Sequence, residues 1–157
     1  MECSCRSLGL NYCAAMAHDD HIFAPDLTQS VIGAFFEVYN CLGYGFLEHV
    51  YAAALEMELA GRGHIVGREV SVPIRYKGRE IARQRLDMIV NGIIIVELKA
   101  GPTLPPASVR QVFSYLRATD LQIGLLFHFG PKPSVRRAER RGTMLSAMNR
   151  VDGDLEG

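Results

Sequence analysis

The stretch from Ile93 to Phe129 constrains the fold more than any other part of the chain. An apolar run, IIIVELKA, is followed by a segment opened by Pro105-Pro106 in which Val109, Val112, Phe113 and Leu116 recur at helical spacing, and then by QIGLLFHF, almost free of polar side chains. A strand, helix, strand order calls for a parallel, right-handed crossover, because parallel neighbours cannot be joined by a short hairpin. Parallel strands are covered on both faces, so the third and fourth strands of the chain are predicted to lie centrally.

The elements ahead of this unit follow from changes in hydrophobic period. After Pro25, Asp26 with Gln29 three residues on resembles a capping box, and Val31, Phe35, Val38 or Tyr39, and Leu42 form the apolar stripe of a first helix. Gly43-Tyr44-Gly45 breaks it, and a second helix is predicted from about Phe46 to Ala60, ended by Gly61 and Gly63. A dinucleotide fingerprint is rejected here, because that motif follows a strand and needs a third glycine where this chain has Glu48. From Ile65 the period becomes that of strands. One runs to Tyr76, a turn falls at Lys77-Gly78, a second runs to Val90, a turn falls at Asn91-Gly92, and a third runs from Ile93 to Lys99. The fold class is α/β, in the order α-α-β-β-β-α-β with a mixed four-stranded sheet, as one domain over residues 21–141. Residues 1–20 are expected to be a disordered leader, with Met16 a candidate true start, and residues 142–157 a polar tail.

The chain has 157 residues, enough for one domain that buries about two thirds of its unfolded surface. Seventeen basic and seventeen acidic side chains cancel, so any phosphate-binding surface must be local. Lys132, Arg136, Arg137, Arg140 and Arg141, with Glu139 alone against them, are read as the one such candidate for nucleic-acid contact, the bland alternative being a solvated terminal helix. No apolar run approaches the ~18 residues of a membrane span and no secretory leader is evident, so a cytoplasmic protein without membrane contact is expected. Cys3, Cys5 and Cys13 crowd the leader and Cys41 stands alone as a small buried hydrophobe, which is no disulfide framework. With His18 and His21 the leader cysteines lack zinc-knuckle spacing, and His49, His64 and His128 read as surface or core residues.

Chemistry concentrates in the third strand. Alternation places Ile93, Ile95, Glu97 and Lys99 on one face, so a carboxylate and an ammonium follow two isoleucines toward the strand's C-terminal end, where open α/β sheets hold their ligands. Asp87 on the preceding strand joins that face only if the connection is longer than a two-residue turn. A three-residue loop, Val90-Asn91-Gly92, or an equivalent bulge, pairs Asp87 with Ile95 and makes Glu97 its diagonal neighbour. Glu48 shares a helical stripe with Ala52, Leu55 and Leu59 and is predicted to face inward. Three inward carboxylates beside one lysine leave excess negative charge, which a hard dication with oxygen ligands would offset.

These residues also carry a resemblance. GFLEHVY, from Gly45 to Tyr51, resembles the signature of the GxxExxY proteins, and RLDMIVNGIIIVELKA is similar to their Asp…Glu-x-Lys hairpin. The likeness continues through RQVFSYLRAT and LQIGLLFHFG, over about residues 28 to 137. That family is grouped with the PD-(D/E)XK nuclease superfamily. The resemblance implies a restriction-endonuclease-like core in which Asp87 and Glu97 hold magnesium, Lys99 acts at the attacking water, and Glu48 and Gln111 assist. Tyr115, one helical turn from Gln111, is placed to flank the same site. Leu86 stands where many superfamily members have proline, and Ser108 where many relatives have histidine.

The resulting expectation is a Mg2+ (or Mn2+) dependent nuclease acting on nucleic acid, with Asp87, Glu97 and Glu48 as metal ligands. The alternative is a catalytically inactive nucleic-acid-binding or protein-interaction module of the same fold. DNA against RNA, and monomer against homodimer, are left open.

Overall fold

A computed structural model describes residues 24–140. The leader, the alternative start, Cys3, Cys5, Cys13, Arg141 and the 142–157 tail lie outside the described residues.

Helix α1 (Ala24–Leu42) buries Leu27, Val31, Ala34, Phe35 and Val38 on one stripe. Asp26 lies in its first turn and not at its cap. The helix ends where Gly43 takes a left-handed φ of 69° and its N–H bonds to Tyr39 O at 2.7 Å. The Tyr51 hydroxyl then donates to Gly43 O at 2.6 Å and accepts from Phe46 N at 3.2 Å, while its ring stacks on Phe129. These contacts fix where α2 (Glu48–Gly61) begins, and Glu48 is its first residue. Cys41, expected buried, is exposed in the last turn of α1.

Strands β1 (Val66–Tyr76) and β2 (Arg79–Val90) form a long hairpin closed by Lys77-Gly78, whose φ values of 48° and 76° are those of the two-residue primed turn that suits strand twist. β2 pairs antiparallel with β3 (Ile94–Ala100), and β3 pairs in parallel with β4 (Ile123–Phe129) through α3 (Ala107–Thr119). The β2–β3 connection differs from the expected loop. Asn91 and Gly92 both have positive φ and Ile93 N bonds to Val90 O at 3.0 Å, yet the ladder begins at Val90↔Ile94, which leaves Ile93 as a bulged extra residue. Continued by one step, this register sets Asp87 directly opposite Glu97, not Ile95.

The sheet has five strands, β1-β2-β3-β4-β5, one more than expected. β5 (Ser134–Glu139) pairs antiparallel with β4 in the basic segment for which a solvated terminal helix was the bland alternative. Every residue of β4 is buried, so its outer edge needs backbone partners, and β5 supplies them. Helices α1 and α2 cover one face over a core that includes Met88, Val90, Ile94, Val96, Leu98 and Phe127. Helix α3 covers the other over Val72, Leu86, Ile95 and Leu126. No described helix is long and apolar enough to cross a membrane.

Candidate active site

The sheet forks where the carboxylates stand. β2 and β3 pair only over Val90↔Ile94 to Met88↔Val96, after which β2 stays with β1 as far as Tyr76↔Arg79 and β3 stays with β4 as far as Ala100↔Phe129. The strands are also irregular here. Met88 joins the core under α1 and α2 whereas Leu86 joins the core under α3, so the inward face of β2 changes sides at Asp87. Across from Asp87, Glu69 takes a left-handed φ of 50° and drops out of the β1–β2 ladder. A fork leaves main-chain N–H groups of β3 without a strand partner, and buried N–H groups need one. Leu98 N–H is taken by Asp87 Oδ2 at 2.8 Å and Ala100 N–H by Glu48 Oε2 at 3.3 Å. Two of the sequence-derived site residues are thereby tethered to one strand from β2 and from α2.

Glu97 is only 2 % exposed. Its Oε1 accepts from Lys99 Nζ at 2.5 Å, and its Oε2 is buried with no hydrogen-bond partner. Burial pushes its carboxyl up to about 7; the Lys99 hydrogen bond pulls the other way, and the neighbouring Asp87 carboxylate adds to the rise. Burial also opposes the charge on Lys99, but its hydrogen bond to Glu97 and the charges of Glu97, Glu48 and Asp87 outweigh it and hold the ammonium above its ordinary value. Gln111 on α3 donates to the Tyr115 hydroxyl, which donates to Arg85 O at 3.4 Å. Burial raises the Tyr115 phenol, against the pull of Gln111, and the charges on Glu97 and Asp87 raise it further. Gln111 therefore reaches the cluster through Tyr115.

Among the described residues no three His, Cys, Asp or Glu side chains stand together as a ready metal cage. Asp87 and Glu97 face each other, while Glu48, held to Ala100 N–H from the α2 side, lines the same depression as Asp87 and acts on the same Lys99 charge. Two carboxylates still suit magnesium, which keeps several waters and takes one or two protein carboxylates together with substrate phosphate. The partnerless Glu97 oxygen beside a second carboxylate fits such an ion.

A depression beside the fork is lined by Glu48, His49 and Ala52 of α2, Arg68 and Glu69 of β1, Arg85 and Asp87 of β2, and Leu98 of β3. Sequence reasoning missed Arg68, Arg85, Glu69 and His49, whose position depends on the fork. Arg68 binds Glu56 at 2.8 Å but leaves its buried Nε without a partner. The expected basic surface is dispersed by the β5 strand. Arg137 pairs with Glu139 at 2.5 Å and Arg140 with Asp120 at 2.8 Å, and alternation sends Arg136 and Arg137 to opposite faces. Lys132 and Arg136 are exposed, and Arg136 is level with Glu97 across β4.

A family model described as the PD-(D/E)XK nuclease superfamily matches residues 25–140. A solved structure described as "Crystal structure of SSO0001" is similar at 19 % identity with a TM-score of 0.49, over 81 % of this chain and 65 % of that one. This chain thus spans about 65 % of that protein's resolved length. No curated protein matches the sequence.

Proposed function

The chain belongs to the PD-(D/E)XK nuclease superfamily, and from that premise we propose that it is a nuclease dependent on magnesium or manganese, with its centre at Asp87, Glu97 and Lys99. The observation that carries this reading is the Glu97 oxygen, buried and without a partner beside the Asp87 carboxylate. Such a pair calls for a proton or a cation between its members, since like charges in a desolvated site cannot both stand unscreened.

An ion held by Asp87 and Glu97 would supply Lewis-acid polarisation of the scissile phosphate. Leu98 N–H fixes one Asp87 oxygen and leaves the other free, so the ligand is oriented before substrate arrives. Glu97 holds Lys99 in a fixed place two residues along the same face, where its ammonium stabilises negative charge that grows on the phosphate in the transition state. Tyr115, set by Gln111 and Arg85 O, closes the α3 side of the cluster against water. Glu48 anchors Ala100 and keeps the end of β3 beside α2, with a free oxygen for a water-mediated role. Exposed Lys132 and Arg136 are assigned to phosphate contacts, and Arg137, Arg140 and Arg141 to a weaker supporting field.

The second reading, a non-catalytic nucleic-acid-binding or protein-interaction module, is favoured by the Lys99–Glu97 ion pair, which partners one Glu97 oxygen without an ion. Divalent-dependent cleavage of DNA or RNA by the purified chain, abolished by chelator and by Asp87→Ala, separates the two. Equal cleavage by wild type and Asp87→Ala sinks the assignment of the site.

A further inference from the structure

The β1–β2 hairpin projects beyond the cores. Every residue from Arg75 to Arg85 is exposed, and this stretch, RYKGREIARQR, sets Arg75, Lys77, Arg79, Arg83 and Arg85 against one carboxylate, Glu80. In a chain of zero net charge this is a denser cationic surface than the β5 segment. Arg83 pairs with Glu80 at 3.0 Å and Arg85 lies 3.8 Å from Glu69, both exposed pairs of little strength. Arg75, Lys77 and Arg79 have no carboxylate partner among the described residues.

The charges have a direction. Alternation puts Arg83 and Arg85 on one face of β2, as far as the register irregularity at Ile74/Arg75, and Arg83 Nε donating to Ser71 Oγ at 2.9 Å, with Ser71 the ladder partner of Arg85, agrees with that face. The opposite face packs Leu86 and Val72 under α3. The cationic face therefore leads along the strand to Arg85 and Asp87 in the depression beside the fork.

We propose that this hairpin is a docking arm that lies in the major groove of duplex DNA and brings a backbone phosphate to Asp87; the partner rests on the nuclease reading above. The groove, about 12 Å wide, admits a two-stranded ribbon, whereas the deep, narrow major groove of A-form RNA does not. A single-strand binder would need successive aromatic platforms, and on the arm only Tyr76 is aromatic. Arg79 lies eight residues before Asp87, at most about 26 Å along an extended strand, so tip and fork together span much of the ~34 Å turn of the duplex.

The test titrates a fluorescein-labelled 30-base-pair DNA duplex with full-length protein in chelator. Lys77→Glu with Arg79→Glu should weaken binding at least about tenfold and reduce the slope of log affinity against log salt by about two, the loss of two phosphate contacts. Lys77→Gln with Arg79→Gln should weaken it less, and both variants should melt with wild type because every altered side chain is exposed. Filling the major groove with glucosylated hydroxymethylcytosine should also weaken wild-type binding. Unchanged affinity in the reversal variant overturns the arm, as does tighter wild-type binding to the same sequence as single-stranded DNA or duplex RNA, or failure to bind any of these. Cleavage is scored separately: metal-dependent cutting with an arm variant that binds normally sinks the arm alone, and arm-dependent duplex binding without cutting sinks the nuclease reading alone.

Discussion

At the residue scale, Glu97 and Lys99 divide the work of binding and chemistry, and two substitutions separate them. Lys99→Met removes a charge that touches Glu97 but coordinates no ion. It should leave metal binding, read by calorimetry, largely intact and lower the cleavage rate by on the order of a hundredfold, the scale for one preorganised electrostatic group. Cleavage at the wild-type rate with the fold intact would refute the role given to this lysine. Glu97 makes a prediction about pH. Its carboxyl rises from 4.5 to about 7 on folding, so the native state favours the protonated form. That contribution is fully present below the unfolded value and is lost as pH rises through about 7, on the order of 3 kcal/mol in all. In chelator, wild type should therefore lose stability to urea between pH 5 and pH 8, and Glu97→Gln should lose much less. Parallel curves for the two proteins would show that burial does not govern this carboxyl. The sequence made both residues legible, because alternation along IIIVELKA fixes their shared face. It did not make the partnerless oxygen legible, since that depends on where β2 leaves β3.

At the element scale, long periodic segments were readable and a charged edge strand was not. All three helices and the first four strands lie within a few residues of their predicted bounds, because burial imposes a period on each. β5 escaped because SVRRAE shows no clean alternation: Val135 packs toward one core, Ala138 toward the other, and adjacent arginines point outward between them. The register of the β2–β3 hairpin differs from the expected one by two residues, Asp87 falling opposite Glu97 and not Ile95, and the face shared by Asp87 and Glu97 survived because a shift of two preserves parity. The cationic arm stood in the sequence as RYKGREIARQR but was divided between two strands and a turn, and only the projection of the hairpin makes it one surface. The crossover unit carries its own prediction. A Cβ on Gly124 would lie 2.4 Å from Val112 Cγ1, so β4 tolerates no side chain where α3 crosses it. Gly124→Ala should lower unfolding free energy by about 1–3 kcal/mol, the usual cost of overpacking, in a denaturant titration. A variant as stable as wild type would mean that α3 shifts freely on the sheet, and with it Tyr115 and Gln111.

At the scale of the whole molecule, the fork couples the candidate metal site to global stability. Asp87 joins β2 to β3 and Glu48 joins α2 to β3, while Glu97 lies between the sheet and α3, so charge at this point loads every layer. A dication bound by the folded state and not by the unfolded chain stabilises by mass action, about 2.7 kcal/mol when its concentration is a hundred times its dissociation constant. The proton and the cation compete for the same Glu97 oxygen. Below pH 6 the carboxyl is mostly protonated and offers a poor ligand, whereas above pH 7.5 it is ionised and the ion relieves its repulsion with Asp87. Millimolar magnesium should therefore raise the melting temperature of wild type clearly at pH 8 and hardly at pH 5.5, and Asp87→Asn or Glu97→Gln should lose the increment at pH 8. An increment equal at both pH values, or one retained by both variants, would place any bound ion elsewhere on the molecule and leave Asp87 and Glu97 as a proton-sharing structural pair.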